Sequence, residues 1–159
     1  MKVIFLDIDG VLNNNNTREV VTGGIIGLNK QCCEQLKRVV DTTKAEIVLV
    51  STWKMWWSTD YDKCKYDGKY LSDTLAEYGI SILDKTDGPC GEGRGQGILD
   101  YLESHSDIES YIIIDDEIFD NYNCSAIKDR LVKTSFYGYG LNQELADKAI
   151  KLLGAHYDS

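Results

Sequence analysis

Six polar residues that can do chemistry stand where apolar runs of the sequence end. They are Asp7, Asp9, Ser51, Thr52, Asp115 and Asp116. Carboxylates that are crowded together repel one another, and some take up protons unless a cation neutralises them. Magnesium suits such a group because it prefers oxygen ligands and typically uses one or two carboxylates together with substrate phosphate oxygens. The pattern therefore favours a magnesium site that handles a phosphate group.

The spacing of Asp7 and Asp9 suits a two-step hydrolysis. In an extended chain, positions i and i+2 share a face, so both carboxylates can approach one ligand. One carboxylate can attack phosphorus and split the reaction into two easier steps. The other can donate a proton to the leaving oxygen and later activate water. A calcium-binding loop is the alternative, but Gly10 comes too early for that motif and Val11 occupies a position that needs an oxygen ligand.

The elements that would position these residues alternate between strands and helices, which predicts an α/β fold with a parallel sheet. Apolar runs predict strands over Val3–Leu6, Glu46–Val50, Ile80–Leu83, Tyr111–Ile114 and Leu131–Lys133. Helical spacing of apolar residues predicts helices that contain Leu36, Leu75, Ile98 and Ala149. In an open parallel sheet, ligands bind beyond the carboxyl ends of the strands. We therefore expect the six polar residues to share one cleft.

Three segments do not follow this alternation. The segment Asn13–Gly27 begins with four consecutive asparagines and contains a pair of glycines, which predicts a turn or a hairpin flap. The segment Trp53–Tyr70 is polar and aromatic without clear periodicity. The segment Thr86–Gly97 holds the one proline of the chain and five glycines, which predicts a loop.

The polar residues and their strands resemble the motifs of the haloacid dehalogenase (HAD) superfamily. Val3–Val11 resembles the first motif, Val48–Thr52 the second, and Ile113–Asp116 the paired-aspartate form of the fourth. The resemblance implies that Asp7 is the nucleophile and Asp9 the general acid and base. It also implies that the Ser51 hydroxyl binds phosphate.

The resemblance further implies a set of cations at the site. Magnesium would be held by Asp7, the Asp9 carbonyl oxygen and Asp115, with Asp116 in support. The third motif of the family needs a lysine or arginine near the helix before the last of these strands. Arg94 stands in the right place, and Lys85 and Lys54 are the alternatives.

The later part of the chain, Leu131–Thr134 and Gly140-Leu141, looks similar to a compact subgroup of the superfamily. That subgroup occurs as phosphatase domains of RNA repair proteins and resembles polynucleotide kinase-phosphatases. The resemblance implies a single HAD-like domain over residues 1–159, built as a three-layer, Rossmann-like sandwich of about five parallel strands with the first strand central. The gaps between the motifs are too short for a sizeable cap domain.

The function expected from these features is magnesium-dependent hydrolysis of phosphomonoesters through an aspartyl-phosphate, on nucleic-acid ends or nucleotides. We expect Gly10, Ser51, Thr52 and Arg94 to bind the phosphate and Trp56 to stack on a base. The alternatives are a small-metabolite phosphatase and a non-catalytic module that binds phosphate or nucleic acid. Binding alone does not require a proton donor at Asp9, which argues against the module.

Composition limits the partners and the compartment. The chain has 17 basic and 26 acidic residues, so its formal charge is −9, which disfavours nonspecific binding to nucleic acid. No apolar run reaches the roughly 18 residues that a membrane span needs. The five cysteines have no zinc-binding spacing and suit thiols in a reducing compartment, so we expect a cytoplasmic protein. The sequence does not indicate an oligomeric state.

Overall fold

A computed structural model describes residues 1–21, 23–119 and 121–154, so residues 155–159 of the expected domain lie outside it. The main sheet has five strands in the order β5-β4-β1-β6-β7, and all neighbouring pairs are parallel. The strands are β1 (Lys2–Leu6), β4 (Glu46–Leu49), β5 (Ile82–Lys85), β6 (Ser110–Asp115) and β7 (Leu131–Lys133). The expected α/β fold with a central first strand is therefore confirmed.

Helices cover both faces of this sheet. They are α1 (Lys30–Thr43), α2 (Tyr66–Ala76), α3 (Arg94–Ser104), α4 (Ser125–Lys128) and α5 (Gln143–Leu153). Alternate residues of β1 enter two separate apolar clusters, because successive side chains of a strand point to opposite faces. Ile4 and Leu6 lie in the cluster with α1, α2 and α5 residues, whereas Val3 and Phe5 lie in the cluster with α3 and α4 residues. The expected three layers follow from this division.

The segment after β1, predicted to be a turn or a hairpin flap, contains a short antiparallel hairpin of β2 (Val20–Val21) and β3 (Ile25–Ile26). Thr22, which falls within the flap, is outside the described residues. The connection between β4 and β5 holds two 3-10 helices, Thr52–Met55 and Tyr61–Lys63, followed by α2. Neither described connection contains a sizeable cap domain. In the described part of the chain, no helix is long and apolar enough to cross a membrane.

Three sequence-predicted boundaries are wrong. The strand predicted over Ile80–Leu83 begins two residues later, because Ile80 donates its amide to the Leu75 carbonyl oxygen and closes α2 after Gly79, whose φ is 72°. Tyr66–Tyr70 belongs to α2, although its polar residues show no helical pattern.

Arg94–Gly97 is the first turn of α3 and not part of a loop. Glycine is a poor helix former, which explains the loop prediction. At Gly97 a side chain would lie 2.7 Å from the Asp87 carbonyl oxygen, so the glycine lets the preceding loop approach this helix.

Gly68 provides a test of the packing between α2 and the segment after β4. Replacing a helix-interior glycine by alanine normally stabilises a protein by about 0.5–1 kcal/mol. At Gly68, however, a Cβ would overlap the Trp56 carbonyl oxygen. We expect Gly68→Ala to lower the free energy of unfolding by about 1–3 kcal/mol, measured by urea denaturation.

Gly91→Ala is the matched control for this prediction, because its Cβ would meet only the Phe119 ring at 3.9 Å. We expect it to change the free energy of unfolding by less than about 0.5 kcal/mol. A Gly68→Ala protein that is more stable than wild type would contradict the close packing.

Candidate active site

The carboxyl ends of the three central strands bring the polar residues to one edge of the sheet. Leu6 pairs with Leu49 on one side and with Ile114 on the other, so Asp7 emerges between the ends of β4 and β6. Carboxylate oxygens of Asp7, Asp115 and Asp116 all lie within 4.8 Å of one another. An open cleft of about 280 Å³ leads to them, lined by Asp7, Asp9, Thr52, Cys90, Gly91, Arg94, Asp116, Glu117 and Phe119.

Asp7 is buried at the floor of this cleft, with 5% of its surface exposed. Burial raises its pKa well above the ordinary range, and the negative charge of Asp115 raises it further. The positive charge of Arg94 acts in the opposite direction. Burial therefore outweighs the arginine, and an additional cation beside Asp7 would favour its charged form.

Among the described residues, Arg94 is the cation that forms ion pairs with these carboxylates. Its Nη1 lies 2.9 Å from Asp115 Oδ2 and 3.4 Å from Asp7 Oδ1. Its Nε donates to the Cys90 carbonyl oxygen at 2.6 Å, and its guanidinium carbon lies 4.2 Å from the centre of the Phe119 ring. The side chain is therefore held on three sides.

The two alternative lysines have other partners. Lys54 is buried, and its Nζ donates to the Thr86 carbonyl and hydroxyl oxygens at 3.2 and 3.3 Å and to the Pro89 carbonyl oxygen at 3.5 Å. Lys85 donates to the carbonyl oxygens of Lys54 and Trp57 at 2.9 and 2.7 Å. Both lysines therefore tie loops together, whereas Arg94 lies against the carboxylates.

Asp115 is fully buried, and both of its oxygens accept hydrogen bonds. Oδ2 accepts from Arg94 Nη1 at 2.9 Å and from the Tyr122 hydroxyl at 2.8 Å, while Oδ1 accepts from the Glu117 amide at 3.1 Å. Burial and the adjacent Asp115 charge raise the pKa of Tyr122, which keeps its proton on the phenol. The sequence analysis missed Tyr122, and only its position seven residues after Asp115 hints at this contact.

Asp116 is half-buried and lines the cleft beside Asp7. Gly10 makes its position possible, because a Cβ at Gly10 would overlap the Asp116 carboxylate and the φ of Gly10 is 79°. The Gly10 amide donates to Asn13 Oδ1 at 2.8 Å, and the binding of phosphate at Gly10 stays a prediction. The Gly10 carbonyl oxygen accepts from the Thr134 hydroxyl at 2.6 Å.

The two hydroxyls after β4 occupy different environments. Ser51 is fully buried, and its Oγ accepts from the Trp53 amide at 3.2 Å at the start of the 3-10 helix. A hydroxyl that accepts one hydrogen bond still has a proton to donate. Thr52 is exposed and lines the cleft.

Trp56 lies next to this turn but is not among the described residues that line the cleft. Its ring is half-buried and meets Trp53 edge-on, with 5.6 Å between the ring centres. Only part of the Trp56 ring is therefore available to a ligand. Met55, the preceding residue, is 66% exposed.

The residues at the floor of the cleft fit a divalent cation. Asp7, Asp115 and Asp116 supply carboxylate oxygens, the ligand type that magnesium prefers. Among the described residues, Arg94 forms the ion pairs with this group, so one positive charge faces three carboxylates. A bound cation would remove this imbalance.

Comparisons with known proteins agree with the fold. Residues 3–146 match a family described as the HAD domain in Swiss Army Knife RNA repair proteins. A search of curated proteins found no match.

Two solved structures are similar. The D,D-heptose 1,7-bisphosphate phosphatase of B. bronchiseptica, complexed with magnesium and phosphate, is 19% identical with a TM-score of 0.58, covering 96% of this chain and 98% of that one. The cobalt-bound deoxy-D-mannose-octulosonate 8-phosphate phosphatase of Haemophilus influenzae is 16% identical with a TM-score of 0.46, covering 96% of this chain and 88% of that one. Since the family match spans most of the sequence, the chain belongs to the HAD superfamily, in the family of HAD domains found in RNA repair proteins.

Proposed function

We propose that this HAD-type phosphatase hydrolyses phosphomonoesters through an aspartyl-phosphate on Asp7 with magnesium as cofactor. The observation that carries the proposal is the position of Asp7. Its carboxylate lies at the end of the central strand and at the floor of an open cleft, beside one arginine and two further aspartates. A metabolite or nucleic-acid phosphate can enter such a cleft from solvent.

The chemistry divides between the two aspartates of the first motif. An Asp7 oxygen attacks phosphorus, and the bond from phosphorus to the leaving oxygen breaks while Asp9 donates a proton to that oxygen. Asp9 then takes a proton from water as the water oxygen attacks phosphorus, which releases phosphate and restores Asp7. Arg94 and the Ser51 and Thr52 hydroxyls would donate to the phosphate oxygens. When bound, magnesium would neutralise the carboxylates and the phosphate together.

The residues proposed to hold magnesium are Asp7, Asp116 and the Asp9 carbonyl oxygen. The sequence resemblance gives Asp115 the direct role and Asp116 the supporting one. The contacts favour the reverse order, because both Asp115 oxygens already accept hydrogen bonds and Asp116 faces the cleft. Asp115 would then act by fixing Arg94 and Tyr122.

The substrate class that we propose is the phosphorylated end of a nucleic acid. The family is described from RNA repair proteins, and an open cleft without a cap cannot enclose a small molecule. Exposed apolar side chains near the ends of the strands offer surfaces for bases: Met55, Ile118, Tyr137 and Tyr139. The charge of −9 opposes binding of a long polyanion, so we propose contacts with only a few terminal nucleotides.

Replacing the nucleophile tests the aspartyl-phosphate. Asp7→Asn keeps the size of the side chain but removes the nucleophilic oxygen, so we expect turnover of a generic aryl phosphate to fall by at least about 10³-fold. Asp41→Asn, which changes an exposed aspartate paired with Lys37, is the control and should retain full activity. Crystals of the wild type grown with fluoroberyllate should carry density attached to Asp7. A near-normal rate for Asp7→Asn would refute the mechanism.

The magnesium affinity of variants tests the roles of the carboxylates independently of catalytic activity. Isothermal titration calorimetry should show the largest loss of affinity for Asp116→Asn, because that variant removes a direct ligand. Asp9→Asn should bind magnesium nearly as well as wild type, since its backbone carbonyl is retained. Equal losses in these two variants, or stronger binding by Asp116→Asn than by Asp115→Asn, would contradict the proposed ligand set.

Trp56→Ala tests the contact with a base. Stacking on an aromatic side chain is worth about 1–3 kcal/mol per base, and the half-buried ring of Trp56 favours the lower end. We therefore expect kcat/KM to fall about 5-fold to 10-fold on a phosphorylated oligonucleotide and to stay unchanged on an aryl phosphate. Equal losses on both substrates would show a structural role, and no loss on either would exclude Trp56 as the stacking residue.

A further inference from the structure

Asp9 lies on the exposed side of the cleft, where a carboxylate would ordinarily rotate freely in water. In this structure each of its oxygens accepts one hydrogen bond from a nitrogen donor. Trp53 Nε1 donates to Oδ2 at 3.2 Å, and Asn13 Nδ2 donates to Oδ1 at 2.9 Å. The carboxylate of Asp9 is therefore fixed in direction although it faces solvent.

Trp53 is a rigid donor. Its side chain is fully buried, and its backbone amide donates to Ser51 Oγ. The indole ring packs against Trp56 and against Tyr70, whose ring centre lies 6.3 Å away. An indole held on two sides and carrying a single N–H can direct that N–H to only one place.

Asn13 is equally constrained. It is fully buried, and its Oδ1 accepts from the Gly10 amide at 2.8 Å. Since that amide requires the oxygen of Asn13, the nitrogen must face Asp9. The next residue, Asn14, is also buried, but its side chain donates to the Tyr139 carbonyl oxygen at 3.2 Å and not to Asp9. The first asparagine of the four-residue run thus has a specific partner in Asp9.

We propose that Trp53 and Asn13 are positioning residues that hold the Asp9 carboxyl group towards the leaving oxygen of the substrate. The inference rests on the proposed function, in which Asp9 gives its proton to that oxygen as the bond to phosphorus breaks. Within the described residues no cap lies over Asp9, and the two buried donors supply its orientation. Misplacing a reacting group by about 1 Å can cost about 100-fold in rate.

The dependence of the rate on the leaving group distinguishes positioning from general structural support. A nitrophenolate leaves without a proton, whereas an alkoxide needs one. The ratio kcat/KM reports the steps up to formation of the aspartyl-phosphate. A variant in which Asp9 is badly oriented should therefore lose activity on an alkyl phosphate and keep it on p-nitrophenyl phosphate.

The test variant is Trp53→Phe, which keeps an aromatic ring but removes the N–H. We expect kcat/KM to fall at least about 10-fold on an alkyl phosphate and less than about 3-fold on p-nitrophenyl phosphate. Trp57→Phe is the matched control, because this buried indole donates to the Ser72 hydroxyl at 2.9 Å. Trp57→Phe should change kcat/KM by the same small factor on both substrates. Equal losses on both substrates for Trp53→Phe would overturn the proposal.

A second pair keeps the test decisive if Trp53→Phe does not fold. Asn13→Ala should show the same selective loss on the alkyl phosphate, whereas Asn14→Ala should not. Thermal melting of each variant checks that the compared proteins are folded. Selective loss in both asparagine variants, or in neither, would overturn the role of Asn13.

The Asp9→Asn protein separates failure of this inference from failure of the proposed function. Asp9→Asn should itself lose activity selectively on the alkyl phosphate, and adding Trp53→Phe should then cause no further selective loss. If Asp9→Asn shows no selectivity, the acid role of Asp9 fails and the positioning role falls with it. If Asp9→Asn is selective but Trp53→Phe and Asn13→Ala are not, the acid role stands and the positioning role is refuted.

Discussion

The crowding of carboxylates at the end of the central strand is the constraint on which the rest of this structure depends. Asp7 and Asp115 are buried, Asp116 is half-buried, and water cannot solvate their charges fully. An unpaired buried charge costs several kcal/mol. Arg94 and the Tyr122 hydroxyl meet this cost in part, through ion pairs and a hydrogen bond to Asp115. Arg94 therefore offsets part of the cost of burying these carboxylates.

Contacts within the segment between β5 and α3 position Arg94 at the site. Lys54 binds Thr86 and Pro89 at the start of this segment, and Gly97 lets the loop carbonyl of Asp87 approach the helix. Arg94 then begins α3 and reaches back to the Cys90 carbonyl oxygen. The glycines and buried lysine thus act together to place one guanidinium group at the sheet edge.

The sequence predicts the parts of this arrangement that depend on local pattern. Five apolar runs locate the strands, and the polar residues directly after them locate Asp7, Asp115 and Asp116 at one edge. Arg94, at the start of α3, contacts Asp115 across 21 residues of chain, and Tyr122 reaches Asp115 across the irregular segment that follows β6. No periodicity encodes such contacts. Because two lysines near the same loop carry the same charge as Arg94, only side-chain contacts separate the three candidates.

The two aspartates of the first motif have different surroundings. The site therefore has a buried half around Asp7 and an exposed half around Asp9. Asp7 is buried, and its surroundings are dominated by the charges of Arg94 and Asp115. Asp9 is exposed, and neutral donors from Trp53 and Asn13 fix its direction without neutralising its charge. The buried half of the site is therefore organised by the balance of charges, and the exposed half by the direction of two hydrogen bonds.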